Sequence, residues 1–121
     1  MNKGRKKTGG KYIKNRKKKF YELAGQKIIS KIGETKKGSK QILGGRKKKF
    51  ILKGNFVNVQ TNDKTKKAEI KNVLETPSNR FLARQNILTK GTILETDLGK
   101  VKITNRPTQE CNINGILIEH K

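Results

Sequence analysis

A chain of 121 residues with 31 Lys and Arg against 9 Asp and Glu, net +22, has the length of one domain and is too basic for an ordinary metabolic enzyme. It has no Trp, two Tyr and four Phe, so a closed core must come from Ile, Leu and Val and will be small. No run approaches the roughly eighteen apolar residues of a membrane helix, and the charge points to a polyanion as partner.

The charge is unevenly placed. Residues 1–54 hold 20 Lys and Arg against Glu22 and Glu34, net +18, whereas residues 55–121 hold 11 against 7 acids, net +4. From Met1 to Lys19 the only sizeable apolar side chains after the first residue are Tyr12 and Ile13. Such a segment cannot bury enough surface to offset its ordering entropy, and it reads as an arm that is disordered until it meets its partner. The opening is Lys-rich and acid-free like a transit peptide, but it is Ser-poor, and it lacks the apolar run of a secretory signal.

Phe20, Tyr21 and Leu23 form the first apolar cluster, and Gly25, Gly33, Gly38, Gly44 and Gly45 then interrupt the chain too often for a long helix. Residues 20–45 read as extended arm and loop with a short strand at Gln41 to Leu43. The arm is therefore assigned to residues 1–40 and the β-rich globular domain to 41–121. Lys49 to Lys53 and Asn55 to Gln60 suit two short strands broken at Gly54, and Ala68, Ile70 and Leu74 imply a third that ends before Pro77. Ser78 or Asn79 caps a short helix through Asn86, with Phe81, Leu82 and Gln85 on one face.

Lys100 to Thr104 alternates with period two, and Asp97-Leu98-Gly99 joins it to Thr92–Thr96 in the clearest hairpin of the sequence. After the break at Arg106-Pro107, Ile113 to Ile118 supplies a last apolar strand in which Ile116, like Ile103, reads as core. About six short strands make a mostly β fold, a small twisted sheet or partly closed barrel with a long basic N-terminal extension.

Candidate RNA-binding residues follow the charge. In the arm they are Lys3, Arg5, Lys6, Lys7, Gly9, Gly10, Lys11, Tyr12, Lys14, Arg16, Lys17, Lys18, Lys19 and Lys31; further on they are Arg46, Lys47, Lys48, Lys49, Arg80, Arg84, Lys90 and Arg106. A single Lys run is usually a solvated face. Clusters at Lys3–Lys7, Arg16–Lys19 and Arg46–Lys49 with almost no acids between them are not, because uncompensated like charge raises the energy of an ordered chain. Each can release counterions from phosphate. Gly9-Gly10 and Gly44-Gly45 either bring backbone N–H groups to phosphate oxygens or are plain turns. Tyr12, Phe20 and Tyr21 either stack on bases or, for the last two, pack on the domain.

Gly33 to Lys40 nearly spells a phosphate-binding P-loop, but Ser39 and Lys40 stand in reverse order and no buried strand precedes them. His120 is the only histidine and has no Ser-His-acid or Cys-His set around it. Glu95 and Asp97 are the remaining candidates for a hard cation, yet hairpin-edge carboxylates usually face water. Cys111, the single cysteine, fits a reducing cytosol and reads as a semi-buried side chain near a turn. No catalytic residue, metal site, cofactor or small-molecule substrate is expected.

The run Asn79-Arg80-Phe81-Leu82-Ala83-Arg84-Gln85-Asn86-Ile87-Leu88-Thr89-Lys90-Gly91, followed by Ile93-Leu94-Glu95-Thr96, strongly resembles the eight-e family of archaeal and eukaryotic small-subunit ribosomal proteins. Lys7-Thr8-Gly9-Gly10-Lys11, Tyr21-Glu22-Leu23, Lys31-Ile32-Gly33, Gly44-Gly45 and Arg106-Pro107 with Gln109 fall in the expected order, so the resemblance covers nearly the whole chain. Ala24, Leu43 and Thr108 depart from the pattern: Leu43 stands where the family carries a basic residue, and the other two where it carries glycine. The tight turn at Asp97-Leu98-Gly99 replaces a long eukaryotic insertion and gives the short, archaeal-like form. The resemblance implies a structural constituent of the small subunit in the cytoplasmic ribosome, bound to ribosomal RNA and neighbouring ribosomal proteins. A DNA-packaging or chromatin protein and a small RNA-processing enzyme are the rival readings.

Overall fold

The structure is a computed structural model and describes residues 4–12, 16–61 and 64–120. Ile13, Lys3 and Lys14 lie outside the described residues, as does the side chain of His120.

Eight strands are present among the described residues: β1 (Lys31–Ile32), β2 (Lys36–Gln41), β3 (Lys47–Gly54), β4 (Phe56–Gln60), β5 (Thr65–Glu75), β6 (Ile93–Thr96), β7 (Gly99–Ile103) and β8 (Asn114–His120). Strands β4 to β8 close into a barrel in sequence order, and β1, β3 and β2 form a separate three-stranded sheet. The parallel sense of the closing pair follows from an odd strand count. In a five-stranded meander the first and last strands run the same way, so β4 and β8 meet in parallel, with Val59 opposite Gly115. The register shifts within β5, at Ile70/Asn72 and Val73/Glu75, bend it from one neighbour to the other.

Alternation fills the barrel. Val57 and Val59, Ala68, Ile70 and Val73, Leu94, Val101 and Ile103, and Ile113 point inward, with Ile51 of β3 and Leu88 completing the cluster. Ile113, just before β8, and Gly115 and Leu117 within it take the inward positions, whereas Ile116 and Ile118 face outward at about half exposure. The expectation that Ile116 is core is therefore corrected. A continuous Ile-Leu-Ile run does not reveal its phase, and a glycine occupies the inward slot.

The hairpin expected around Asp97-Leu98-Gly99 is β6–β7, with Thr96 opposite Gly99 and the Thr96 hydroxyl donating to the Gly99 carbonyl at 2.8 Å. Helix α1 (Arg80–Arg84) is shorter than expected. Asn79 caps it by accepting from the Phe81 N–H at 3.0 Å, and Asn86, at φ 52, turns the chain out of it. Leu82 and Ala83 are half-buried, while Phe81 is 68% exposed and Gln85 is exposed, so the face predicted from Phe81, Leu82 and Gln85 is not the one that packs.

β-pairing begins well before Gln41. The Ser30 hydroxyl, fully buried, donates to the Ile51 carbonyl at 2.6 Å, and the Ser30 carbonyl accepts from the Leu88 N–H at 2.8 Å. Strand β1 then runs parallel to β3, and β2 pairs with β3 from Lys36 to Gln41. The segment expected as a strand at Gln41 to Leu43 is the end of β2 and the start of a tight turn.

Candidate nucleic-acid interface

The β2–β3 ribbon places most of its cations where the sequence could not show them together. Ser39 faces Lys49, Lys40 faces Lys48 and Gln41 faces Lys47. Because side chains alternate across a strand, Lys47 and Lys49 project from one face and Lys40 and Lys48 from the other. All four are exposed. Lys40 and Lys48 are directly opposed like charges, which destabilises a bare ribbon; Lys48 finds partial relief by donating to the Gln109 side chain. Farther back, Lys53 of β3 pairs with Lys31 on one side and Lys36 on the other, giving a lysine row across three strands. Lys36, Lys37, Lys40 and Lys53 are not among the candidates read from the sequence; only the ladder brings Lys36 and Lys53 into one row with Lys31 and sets Lys40 against Lys48.

The ribbon holds its shape through an aromatic contact. The Phe50 ring lies over Gly38, so close that a Cβ there would meet it at 2.5 Å. Its far end turns at Gly44 and Gly45, with φ 78 and 75, and the Ile42 N–H donates to the Arg46 carbonyl at 2.8 Å. These glycines serve a turn of left-handed backbone.

Gly9 and Gly10 in the arm also serve a turn. Gly9, at φ 78, donates its N–H to the Lys6 carbonyl, and Lys6 donates to the Gly10 carbonyl, both at 2.9 Å. Arg5 pairs with Lys11 in an isolated bridge, and Lys6 Nζ stands 5.8 Å from the Tyr12 ring centroid. Farther along, Arg16 Nη1 donates to the Glu22 carboxylate at 2.9 Å, and the Lys19 N–H adds a bond at 3.0 Å. Arg16 first and the Lys19 N–H second hold the Glu22 carboxyl below its ordinary range, and the same contact raises Arg16. Lys17, Lys18 and Lys19 stay exposed, and Phe20 and Tyr21, at 91% and 74% exposure, do not pack on the domain.

Lys7, Arg46, Arg80, Arg84, Lys90 and Arg106 are exposed as well. Arg80 and Arg84 lie one helical turn apart, with exposed Phe81 beside them; the sequence placed Phe81 on the packed face and so missed an aromatic available to a partner. Between ribbon and barrel is a cleft of about 210 Å³, lined by Lys37, Phe56, Asn58, Lys67, Cys111 and Asn112 among others. Lys67 Nζ lies 4.0 Å from the Phe56 ring centroid, and Cys111 is half-buried beside the turn that follows Arg106. Asp97 pairs with Lys71 at 2.9 Å, which raises the lysine, and no cluster of potential metal ligands occurs among the described residues.

The family model for ribosomal protein S8e matches residues 1–118. The chain belongs to the S8e family of ribosomal proteins. Among its S8e relatives, the small ribosomal subunit protein eS8 of Nanoarchaeum equitans is 46% identical over 93% of this chain and 90% of its own length. The proteins of the same name from Staphylothermus marinus and Haloarcula marismortui are 43% and 38% identical, each over 95% of this chain. S8e proteins are structural ribosomal components, not enzymes, which sets aside the RNA-processing alternative and gives Glu95 and Asp97 no catalytic task.

Proposed function

We propose that this protein is a constituent of the small ribosomal subunit, located in the cytoplasmic ribosome among other ribosomal proteins, that binds ribosomal RNA through its arm and its β2–β3 ribbon. The observation that carries this reading is the ribbon with lysines on both faces. A single basic face suits one phosphate row, whereas two opposite faces suit insertion between two RNA strands, whose phosphates remove the Lys40–Lys48 repulsion. In this reading the basic arm ends before Ser30 and not at residue 40, because Ser30 is buried and β1 pairs with β3 from Lys31. Arg5 through Lys27 then supply diffuse phosphate contacts, and the ribbon supplies fixed ones.

The test is binding of the full chain to small-subunit ribosomal RNA and to duplex DNA of equal length, across a salt series, together with co-sedimentation with small subunits. Tighter binding to the RNA at every salt and co-sedimentation are expected. Equal binding to DNA with no co-sedimentation overturns the reading in favour of a chromatin protein.

Phe81 gives a separate expectation. Its exposure between two arginines suits stacking on a base, worth about 1–3 kcal/mol. Phe81→Ala should weaken RNA binding by tenfold or so while leaving the melting temperature unchanged. A lowered melting temperature with unchanged affinity would assign Phe81 to packing instead.

A further inference from the structure

The most basic projection of the molecule ends in an apolar tip. Leu43 is 99% exposed and Ile42 is 43% exposed, at the apex of the turn that joins β2 to β3. A lone exposed leucine is ordinary. This one is set apart by its presentation: the Ile42 to Arg46 hydrogen bond closes the turn, and Gly44 and Gly45 in left-handed backbone hold it. Behind it stand Lys40, Lys47, Lys48 and Lys49, projecting from both faces of the ribbon, with exposed Arg46 at the end of the turn.

We propose that Leu43 is a wedge that packs against nucleobases of the RNA whose phosphates line the ribbon. The inference rests on the RNA-binding reading and adds a contact of different chemistry. A partner that reaches Leu43 also meets five cations, which selects a polyanion over an apolar protein surface. The deep groove of A-form RNA is too narrow to admit a two-stranded ribbon, so the tip meets a junction or loop, where bases are unstacked. An apolar side chain there covers base surface that stacking would otherwise cover, as leucine wedges do between base steps of duplex DNA. A cation at position 43 would seek phosphate; leucine has no affinity for it and selects the base.

The experiment uses the full chain with photo-leucine at position 43, assembled with small-subunit ribosomal RNA and, separately, into small subunits. Crosslinks from position 43 to RNA are expected in both, and crosslinks only to a neighbouring protein overturn the proposal. In parallel, Leu43→Gln should raise the Kd for the RNA about tenfold without changing its salt dependence, because an apolar contact releases no counterions. Leu43→Met should bind within about twofold of the parent. The exposure of Leu43 keeps folding out of the comparison. If Leu43→Gln binds as tightly as the parent, the wedge is refuted and the RNA-binding reading stands; if the parent itself fails to select RNA, both fall.

Discussion

Gly115→Ala should lower the free energy of unfolding by about 3 kcal/mol, a large share of what a domain this small commands. Gly115 sits where the barrel closes, opposite Val59 of β4 on one side and Ile103 of β7 on the other. A Cβ built there meets Val101 Cγ1 at 2.4 Å and the Lys102 carbonyl oxygen at 3.0 Å. The first contact is a fully buried side chain and the second is backbone, so neither can move aside cheaply. Urea unfolding followed by circular dichroism measures the effect. Adding Val101→Ala should make the double variant at least about 1 kcal/mol more stable than the sum of the single losses, because the cavity left by one change accepts the methyl of the other. Strict additivity would mean that Val101 is not the obstruction and that the carbonyl alone sets the cost.

Position 115 also marks how far the sequence could be read. The β6–β7 hairpin was legible because Lys100 to Thr104 alternates cleanly around an Asp-Leu-Gly turn, a pattern that fixes both period and phase. Strand β8 was legible as a strand only. Its Ile-Leu-Ile run carries no phase, so Ile116 was expected inside where Gly115 and Leu117 are. Strand β2 was not legible, because Lys36 to Gln41 contains no apolar side chain. It is a strand through its backbone ladder to β3 and through the bare Gly38 surface that receives Phe50, both of which are tertiary facts. Parallel closure of β4 on β8 is hidden for the same reason, so the sequence leaves a small twisted sheet and a partly closed barrel both open.

Charge was the legible part of the interface and geometry was not. Composition located the basic half and gave the polyanion partner, and the motif run from Asn79 to Gly91 gave the family. What escaped was adjacency: Lys31, Lys53 and Lys36 form one row only through pairing. The arm cluster also held a partner that spacing alone did not reveal, since Glu22 already engages Arg16. One of its four cations is therefore already paired with a carboxylate.

That difference separates the two clusters in the largest binding effect expected. Replacing Lys40, Lys47, Lys48 and Lys49 together by Gln should reduce the salt dependence of RNA binding by roughly three units in log K against log salt, at roughly 0.7–0.9 per phosphate neutralised. If all four reach phosphate, affinity at about 0.1 M salt falls by roughly a thousandfold, the same slope carried over one decade of salt below 1 M. The folded protein should become slightly more stable, because the Lys40–Lys48 opposition is removed. Replacing Arg16, Lys17, Lys18 and Lys19 by Gln should flatten the salt dependence by less, roughly two units, since Arg16 must exchange Glu22 for phosphate before it contributes. The sets should also differ in kind. The ribbon holds its lysines in a fixed register, so its variant should lose discrimination among RNA sites, whereas the arm variant should weaken all sites alike. Footprinting on small-subunit ribosomal RNA over a salt series reads both slope and selectivity. If the ribbon variant kept its slope, or if the arm variant were the one to lose selectivity, the β2–β3 ribbon would not be the element that fixes the protein on its RNA.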